Sequence, residues 1–446
     1  MIFKVIIFLS LLPFSIYAQD TVRINYQEYL NKAIELSPIL KAEKQKEFRA
    51  LSRVDEVKAN RILPRFDISS NHGVMPGVSS SLGLPRDEWH LDPNLVNEWD
   101  NWSVFTKIDF TLAQPVYTWG ALTNATEAVK MGAEAVLYQS EMKLADQKMQ
   151  LTKLYFSAVL ANQLERLALE TLETFRKAEN QITDLEEEGE IEAKELYKFK
   201  IYKQQFLIKA EEIIQNKEFV NDVMNYSLGT NSITYIPSSD SMINSVETQS
   251  LVLLQQEAIL SRPEMKAIKA AEKAASYAVN AQKAQRLPAF FFGLSGEYVH
   301  TPRPVQSQPL FGSRFDYINV IYTFGIRQSL NFGVMNAKVA QIEYQQKEAE
   351  FSKNAIGQAL LVDVANTYKN FNLAKSKKEK LSSALQTSKE WLRKEQIDYD
   401  LGLGELKNLV EALKTNLELE AEFKQSVYDF TVKGAAVLKA TGKFND

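Results

Sequence analysis

The stretch that decides the fold is residues 103–120, which reads SVFTKIDFTLAQPVYTWG. Apolar and polar side chains alternate along it, so that Ile108 and Phe110 would lie on one face and Lys107 and Asp109 on the other. A period of two with opposite polarity on the two faces is typical of a β-strand. The glycine at its end precedes a long run without proline. The stretch therefore predicts a strand that leads into a very long helix.

The order of elements around this stretch occurs twice in the chain. LPRF at residues 63–66 returns as LPAF at 287–290, and QPVYTWG at 114–120 returns as QSLNFG at 328–333. Each half therefore predicts the order helix, strand, loop, strand, helix, helix. A duplicated unit of this size favours a symmetric assembly built from copies of one module.

The repeat and the composition divide the chain into four predicted segments. They are a signal segment at 1–18, a first repeat at 19–228, a linker at 229–247 that is rich in Ser, Thr, Asn and Pro, and a second repeat at 248–446.

Four strands are predicted, two in each repeat. They cover about 65–75, 103–115, 289–299 and 316–330. Their lengths are close to the roughly 9–11 residues that a tilted strand needs to cross a bilayer. A soluble sandwich shows the same alternation. Strands that are paired as hairpins and placed between long helices favour a membrane.

Two very long helices follow the strand pairs, at about 120–186 and 333–400. Their apolar residues follow coiled-coil spacing, and a helix of this size would be roughly 100 Å long at 1.5 Å per residue. Each is followed by a bend marked by glycine and by a returning helix, at about 191–228 and 405–440. Such rods do not fit into a compact domain.

The start of the chain has the pattern of a cleavable signal segment. Lys4 supplies the positive charge, residues 5–12 form an apolar core, and Ala18 ends the cleavage region. The apolar core is too short to be a membrane anchor. The chain contains no cysteine, so an acylated lipoprotein anchor, a disulfide and a thiolate site are all excluded. We expect an exported protein.

Composition and motifs give no indication of catalysis. The net charge is −4 and no basic stripe is present, so nucleic acid is not an expected partner. The three histidines show no metal-ligand spacing, and no phosphate-binding or hydrolase motif occurs. No enzyme activity, metal or cofactor is expected.

The strands can cross a membrane only as part of an assembly. The smallest membrane barrels have eight strands, so four strands cannot close a barrel alone. Open strand edges in lipid would leave backbone N–H and C=O groups unpaired, at a cost of several kcal/mol each. Several chains would therefore share one barrel, with the polar faces of the strands toward water.

The chain resembles the TolC-type outer-membrane efflux proteins over essentially the whole predicted mature region. The matching features are the Leu-Pro-x-Phe junctions, the QPVY element at 114–117, and a glycine seven residues before a leucine in each bend. One feature departs from that family. Its Asp-Leu-Leu after the bend is replaced here by NLV at 408–410 and by ELY at 195–197.

The resemblance implies a mixed α/β membrane protein that forms a homotrimer. Four transmembrane β-strands per chain would build one shared β-barrel of twelve strands in the outer membrane, and the long coiled-coil helices would form an α-barrel through the periplasm.

The resemblance also implies a function. The trimer would be the exit duct of a tripartite efflux pump or a type I secretion system, with passive transport of substrates. Its partners would be a periplasmic adaptor protein and an inner-membrane transporter. The alternative is a periplasmic adaptor or a structural coiled-coil protein of an envelope transport complex. Adaptors also have long helical hairpins, but normally one per chain.

Three groups of residues are predicted to be functional. Acidic residues at the second bend, where the resemblance places a periplasmic aperture, would favour cations. The bends themselves would dock an adaptor, and aromatic side chains at strand ends would lie at membrane interfaces. The aperture residues are Asp398, Asp400 and Glu405, the docking residues are Gly189, Leu196, Gly402 and Leu409, and the interface aromatics are Trp102, Tyr117 and Trp119.

Overall fold

The computed structural model describes residues 20–80, 95–187, 193–229, 233–239, 241–242, 249–300, 317–401 and 403–444. The predicted signal segment and two of the predicted docking residues, Gly189 and Gly402, lie outside these ranges.

Each half of the chain has helices, then a pair of strands and then two long helices, as the repeat predicts, and each half is preceded by a short strand that the repeat does not predict. The strands are β1 (Asp20–Ile24), β2 (Arg65–Ser80), β3 (Leu95–Tyr117), β4 (Ile233–Pro237), β5 (Ala289–His300) and β6 (Tyr317–Arg327). The helices are α1 (Tyr26–Leu36), α2 (Pro38–Ile62), α3 (Ala121–Glu187), α4 (Ala193–Ser227), α5 (Leu251–Ser261), α6 (Pro263–Ala284), α7 (Phe332–Asp400) and α8 (Leu406–Thr441). In the ranges that the structure covers, no helix is both long and apolar enough to cross a membrane.

The chain forms two compact units. The first, here called the sheet unit, consists of residues 46–138 and 266–355, and the second, the helical unit, of residues up to 45, 139–265 and 356–446. Both halves of the repeat contribute to each unit.

The sheet unit contains four antiparallel strands in the order β2-β3-β5-β6. The repeat explains this order, because each half supplies one hairpin and β3 pairs with β5 to join them. Neither β2 nor β6 has a second neighbour among the described strands. The sheet therefore has two open edges.

The first hairpin is longer than the sequence predicts. The prediction ended β2 at 75 and began β3 at 103, whereas the ladder continues from Gly77 opposite Glu98 to Ser80 opposite Leu95. A β-bulge after Pro76 shifts the register. A bulge admits a proline that a regular ladder would not accept. Pro76 and Gly77 therefore lie within the strand.

Each repeat begins with a short helix that stops at a proline. α1 starts with a capping box, in which the Asn25 side chain accepts from the Glu28 N–H at 2.9 Å and the Glu28 carboxylate accepts from the Asn25 N–H at 3.3 Å. It ends before Pro38, and α5 ends before Pro263 in the same way. Proline has no N–H for the preceding helix and disfavours helical geometry in the residue before it.

The helical unit has its main core around α1, α3 and α4. Tyr29, Tyr155, Val159 and Met224 are buried there together with Tyr235 of β4. A second cluster joins α5, α7 and α8. The repeat therefore packs its short first helix against the long helices in both halves.

The predicted linker contains a strand that sequence reasoning missed. β4 lies at 233–237 and pairs in parallel with β1. The Asn225 side-chain amide makes two hydrogen bonds with the backbone of Tyr235. Its oxygen accepts from the Tyr235 N–H at 2.6 Å, and its NH₂ group donates to the Tyr235 carbonyl at 3.3 Å. The linker is thus anchored to the core of the helical unit.

Candidate functional site

The tips of the long hairpins are held together by an apolar cluster, here called the tip core. Its buried residues come from the end of α3, the start of α4 and the start of α8, and Tyr399 of α7 packs against them. The buried residues are Phe175, Ile182, Leu196, Phe199, Leu406 and Val410. The four long helices therefore meet in one cluster at this end.

The bend between α7 and α8 is closed by backbone hydrogen bonds to a single carbonyl group. The Asp398 carbonyl accepts from the N–H groups of Leu403, at 2.8 Å, and Gly404, at 2.9 Å. A Cβ at Gly404 would lie 2.9 Å from the Tyr399 nitrogen and 3.0 Å from the Asp398 carbonyl carbon. Only glycine fits at this position without a shift of the backbone.

The structure brings the three predicted aperture residues to this bend. Asp398 and Asp400 occupy the last turn of α7, and Glu405 immediately precedes α8. The side chains of Asp400 and Glu405 are exposed and that of Asp398 is half-buried. Gln396 donates to the Asp400 carboxylate at 3.0 Å. Glu405 is the N-cap residue of α8, and its side chain makes no capping hydrogen bond there.

The two predicted docking residues that the structure describes have different surroundings. Leu196 is 6% exposed within the tip core, whereas the adjacent Tyr197 is 63% exposed. Leu409 is half-buried and lines a cavity of about 330 Å³ beside that core. Leu196 therefore packs inside the tip core, and the Tyr197 side chain lies at the surface.

A second, larger cavity of about 520 Å³ lies between α3, α4 and α8. Its apolar wall includes Leu167, Phe206 and Leu417, and Lys209 and Lys414 lie at its margin. Sequence reasoning did not identify this cavity, because its lining comes from three helices that are distant in sequence.

The sheet unit presents an apolar face across all four strands. Cross-strand rows on this face include Phe66, Leu112, Leu294 and Tyr322, and also Ser70, Ile108, Tyr298 and Ile318. Its side chains at the open edges are strongly exposed, reaching 68% at Ile68 and 81% at Phe324. A soluble protein rarely exposes such a continuous apolar surface.

The predicted interface aromatics lie at two separate levels of β3: Trp102 lies within the strand, opposite Pro76 at the β-bulge, and Tyr117 ends the strand, with Trp119 two residues later. Trp102 is 51% exposed, and its ring lies 6.0 Å from that of Trp99, centroid to centroid, in a tilted arrangement. Tyr117 and Trp119 have their rings 5.0 Å apart. Along a strand, the 15 residues from 102 to 117 span roughly 50 Å, or about 38 Å along the normal at a 40° tilt. This spacing suits one aromatic group at each surface of a bilayer.

Trp119 also has a structural role that the sequence did not reveal. Its backbone is left-handed, with φ 53°, which is rare for a bulky residue. The indole N–H donates to the Pro288 carbonyl at 2.8 Å. This bond joins the β3–α3 junction of the first repeat to the α6–β5 junction of the second.

The other face of the sheet carries polar and charged side chains. Lys107 forms salt bridges with both Asp109 and Glu297 there. Across the residues that the structure describes, no three His, Asp or Glu side chains are grouped so that they could hold a metal ion.

Comparisons with known proteins agree with this architecture. Residues 254–443 match the model of the outer membrane efflux protein family. No curated protein matches the sequence significantly.

Solved structures match nearly the whole chain. The CmeC outer membrane channel of Campylobacter jejuni has a TM-score of 0.74 and 17% identity, over 94% of this chain and 85% of its own. The open state of the MtrE outer membrane channel of Neisseria gonorrhoeae has a TM-score of 0.73 and 16% identity, over 94% and 89%. The outer membrane protein VceC of Vibrio cholerae has a TM-score of 0.70 and 15% identity, over 93% and 95%.

At these identities the solved structures establish the fold, and the family match establishes the relationship over the second repeat. The two findings confirm the resemblance to TolC-type proteins: residues 254–443 are similar to the outer membrane efflux protein family, and nearly the whole chain has the fold of the outer-membrane channels.

Proposed function

We propose that the protein is an outer-membrane channel through which substrates leave the cell passively. It would be the exit duct of a tripartite efflux pump or a type I secretion system. The signal segment at 1–18 would direct its export and then be cleaved, and the protein would not be lipidated. The observation that carries the proposal is the four-stranded sheet, with an exposed apolar face, a polar face and two open edges.

The open edges support an assembly of several copies. The four strands alternate in direction, so β6 of one copy and β2 of the next would meet antiparallel. Joining copies in this way pairs every backbone group, as a lipid environment requires. Three copies would give twelve strands, the homotrimer that the family resemblance implies.

The apolar face supports insertion in a bilayer. In such a barrel the exposed Phe, Ile and Tyr side chains would face lipid, and the polar face would line a water-filled passage. Trp102 beside the β-bulge, and Tyr117 with Trp119 where β3 ends, would lie at the two interfaces.

The helical tips support a periplasmic aperture that opens on contact with a partner. Asp398, Asp400 and Glu405 would meet their copies from the other subunits and favour cations. Leu196, Leu409 and the two bend glycines, Gly189 and Gly402, would define the region where a periplasmic adaptor protein docks. The adaptor would connect the duct to an inner-membrane transporter that supplies the energy.

The rival function is that of a periplasmic adaptor or a structural coiled-coil protein. Two long helical hairpins and a four-stranded sheet with a continuous apolar face in one chain favour the channel.

Purified detergent-extracted protein should be inserted in a planar bilayer and its single-channel current recorded. We expect small, discrete, cation-favouring steps, and a heat-modifiable oligomer in outer-membrane fractions. Recovery of the protein in the soluble periplasmic extract, with no current from folded protein, would instead support the adaptor.

A further inference from the structure

Two neighbouring rows of the polar face carry three charges in contact. The first row consists of Asn71, Lys107, Val299 and Tyr317, and the second of Ser69, Asp109, Glu297 and Asn319. Asp109 and Glu297 are therefore directly opposite each other on β3 and β5. Two carboxylates in this position repel each other.

Lys107 offsets that repulsion from the adjacent row. Its Nζ lies 2.7 Å from Glu297 Oε1 and 3.4 Å from Asp109 Oδ1. The Tyr317 hydroxyl donates to the other Glu297 oxygen at 2.9 Å. The three charged side chains are between 29% and 42% exposed. One ammonium group shared by two carboxylates leaves a net charge of −1 at the surface of the sheet.

The other described charges on this face do not cancel that excess. Arg65 binds Asp67 at 2.8 Å, which makes a neutral pair. Arg327 lies over the Phe291 ring, 5.4 Å from its centroid. Arg327 lies eight residues along β6 from Asn319, the residue opposite Glu297. This separation is roughly 26 Å at 3.3 Å per residue. This distance exceeds the screening length of about 8 Å at physiological salt.

We propose that Lys107, Asp109 and Glu297 form a second determinant of the charge selectivity of the conduit, in series with the acidic residues of the tip, and that Lys107 limits its strength. The inference rests on the proposed function, in which the polar face lines a water-filled passage. Each copy contributes one net negative charge to a ring, which attracts cationic solutes and repels anionic ones. This ring lies in the sheet unit, and its residues are distinct from the acidic residues of the tip.

Substitutions in this cluster should change selectivity in opposite directions. Lys107→Met leaves two negative charges per chain, so the ratio of cation to anion permeability should rise. Glu297→Gln leaves none, so the ratio should fall. We expect changes of roughly twofold or more at 0.1 M KCl, and smaller changes at 1 M because the screening length falls from about 10 Å to about 3 Å. Reversal potentials in a KCl gradient measure the ratio.

Controls separate charge from folding. Lys107→Arg keeps the charge and should keep the wild-type ratio. Lys58→Met removes an exposed lysine of α2, 51% exposed and outside the sheet, and should leave the ratio unchanged. If Lys107→Met or Glu297→Gln fails to insert in the bilayer, Lys107→Gln and Asp109→Asn replace these two variants and make the same changes of charge.

The outcomes distinguish the two proposals. If wild-type protein that is folded and inserted carries no current, the proposed function is wrong. If wild-type protein conducts but removal of Lys107 and removal of a carboxylate shift the ratio in the same direction, or leave it unchanged, the cluster does not determine selectivity.

Discussion

At the scale of single residues, Tyr29 contributes stability that depends on pH. Its side chain is 0% exposed, and its hydroxyl shares a hydrogen bond with the Ser227 hydroxyl at 2.8 Å. Burial raises the pKa of Tyr29 from 10.0 to about 12, although the Ser227 bond acts in the other direction. Because folding favours the neutral phenol, this stabilisation is complete below pH 10 and is lost as the pH rises toward 12.

Tyr29→Phe should remove this part of the pH dependence. A pKa difference of about two units corresponds to roughly 2–3 kcal/mol of unfolding free energy, lost between pH 10 and 12 in the wild type. The variant should be about 1 kcal/mol less stable at pH 8, from the missing hydrogen bond, and should lose less on alkalinisation. Circular-dichroism melts at pH 8 to 12 test this. Tyr226→Phe, at a 68% exposed tyrosine, is the control; equal alkaline losses in both variants would contradict the assignment.

The carboxylates of Asp398 and Asp400 should control ion flow at the tip. Replacing both by Ala removes two negative charges per subunit from the end of α7. We expect a higher conductance, or a ratio of cation to anion permeability reduced by roughly twofold or more. Planar-bilayer recordings measure both quantities. Glu390→Ala removes an exposed carboxylate from the same helix and should change neither; unaltered channels in the double variant would contradict an aperture at this bend.

At the scale of elements, the α7–α8 bend depends on Gly404. A Cβ there would lie within 3.0 Å of backbone atoms of Tyr399 and Asp398, which cannot rotate away as a side chain could. Gly404→Ala should therefore lower the unfolding free energy by about 1–3 kcal/mol and change the conductance, because the bend carries Asp398.

Gly132→Ala in α3 is the matched control. No atom lies within 4 Å of its Cβ position, so stability should be unchanged or up to about 1 kcal/mol higher. Equal melts for both variants would show that the bend has room.

The elements that the sequence predicts are those whose periodicity is uninterrupted. α3 and α7 lie within one residue of their predicted ranges, because a run without breakers and with coiled-coil spacing allows few alternatives. β1 and β4 have five residues each, too few for a periodic signal, and they pair with each other across most of the first repeat. The extension of β2 was missed because Pro76 and Gly77 indicate a turn unless a bulge is known.

In the candidate site too, some features follow from local sequence and others depend on tertiary contacts. The bends could be located from glycines and the aperture residues from their charge, since both are local features of sequence. The burial of Leu196 and the left-handed backbone of Trp119 depend on tertiary packing. The joining of Lys107 to Glu297 depends on the pairing of β3 with β5, and no local pattern encodes the register between strands that lie in different repeats.

At the scale of the whole molecule, the number of copies follows from how the open edges of β2 and β6 are paired. One chain has an even number of strands with its two edges on opposite sides of the sheet, so copies can add in one direction until the ring closes. Two copies would give eight strands, the smallest known membrane barrel, and three would give twelve. The sheet geometry permits either, and the family resemblance favours three.

Cysteine cross-linking should count the copies directly, because the native chain has no cysteine to interfere. Ser69→Cys on β2 should be combined in turn with Cys at Asn319, Ile321 or Thr323 of β6, all at positions of the polar face. Directly opposite residues on antiparallel strands lie about 4.5–5.5 Å apart, within the range of a disulfide. One of these pairs should therefore cross-link on oxidation and give a ladder on non-reducing gels.

The ladder should stop at three subunits, because in a closed ring the third bond joins the last copy to the first. Ser69→Cys with Val320→Cys is the control, since neighbouring positions on β6 point to opposite faces and this pair should remain monomeric. A ladder that ends at two subunits would mean an eight-stranded barrel. Continued growth beyond three would mean an open assembly. Absence of any cross-link in all three registers would show that β2 and β6 do not pair between copies, and the barrel proposed for this chain would then be wrong.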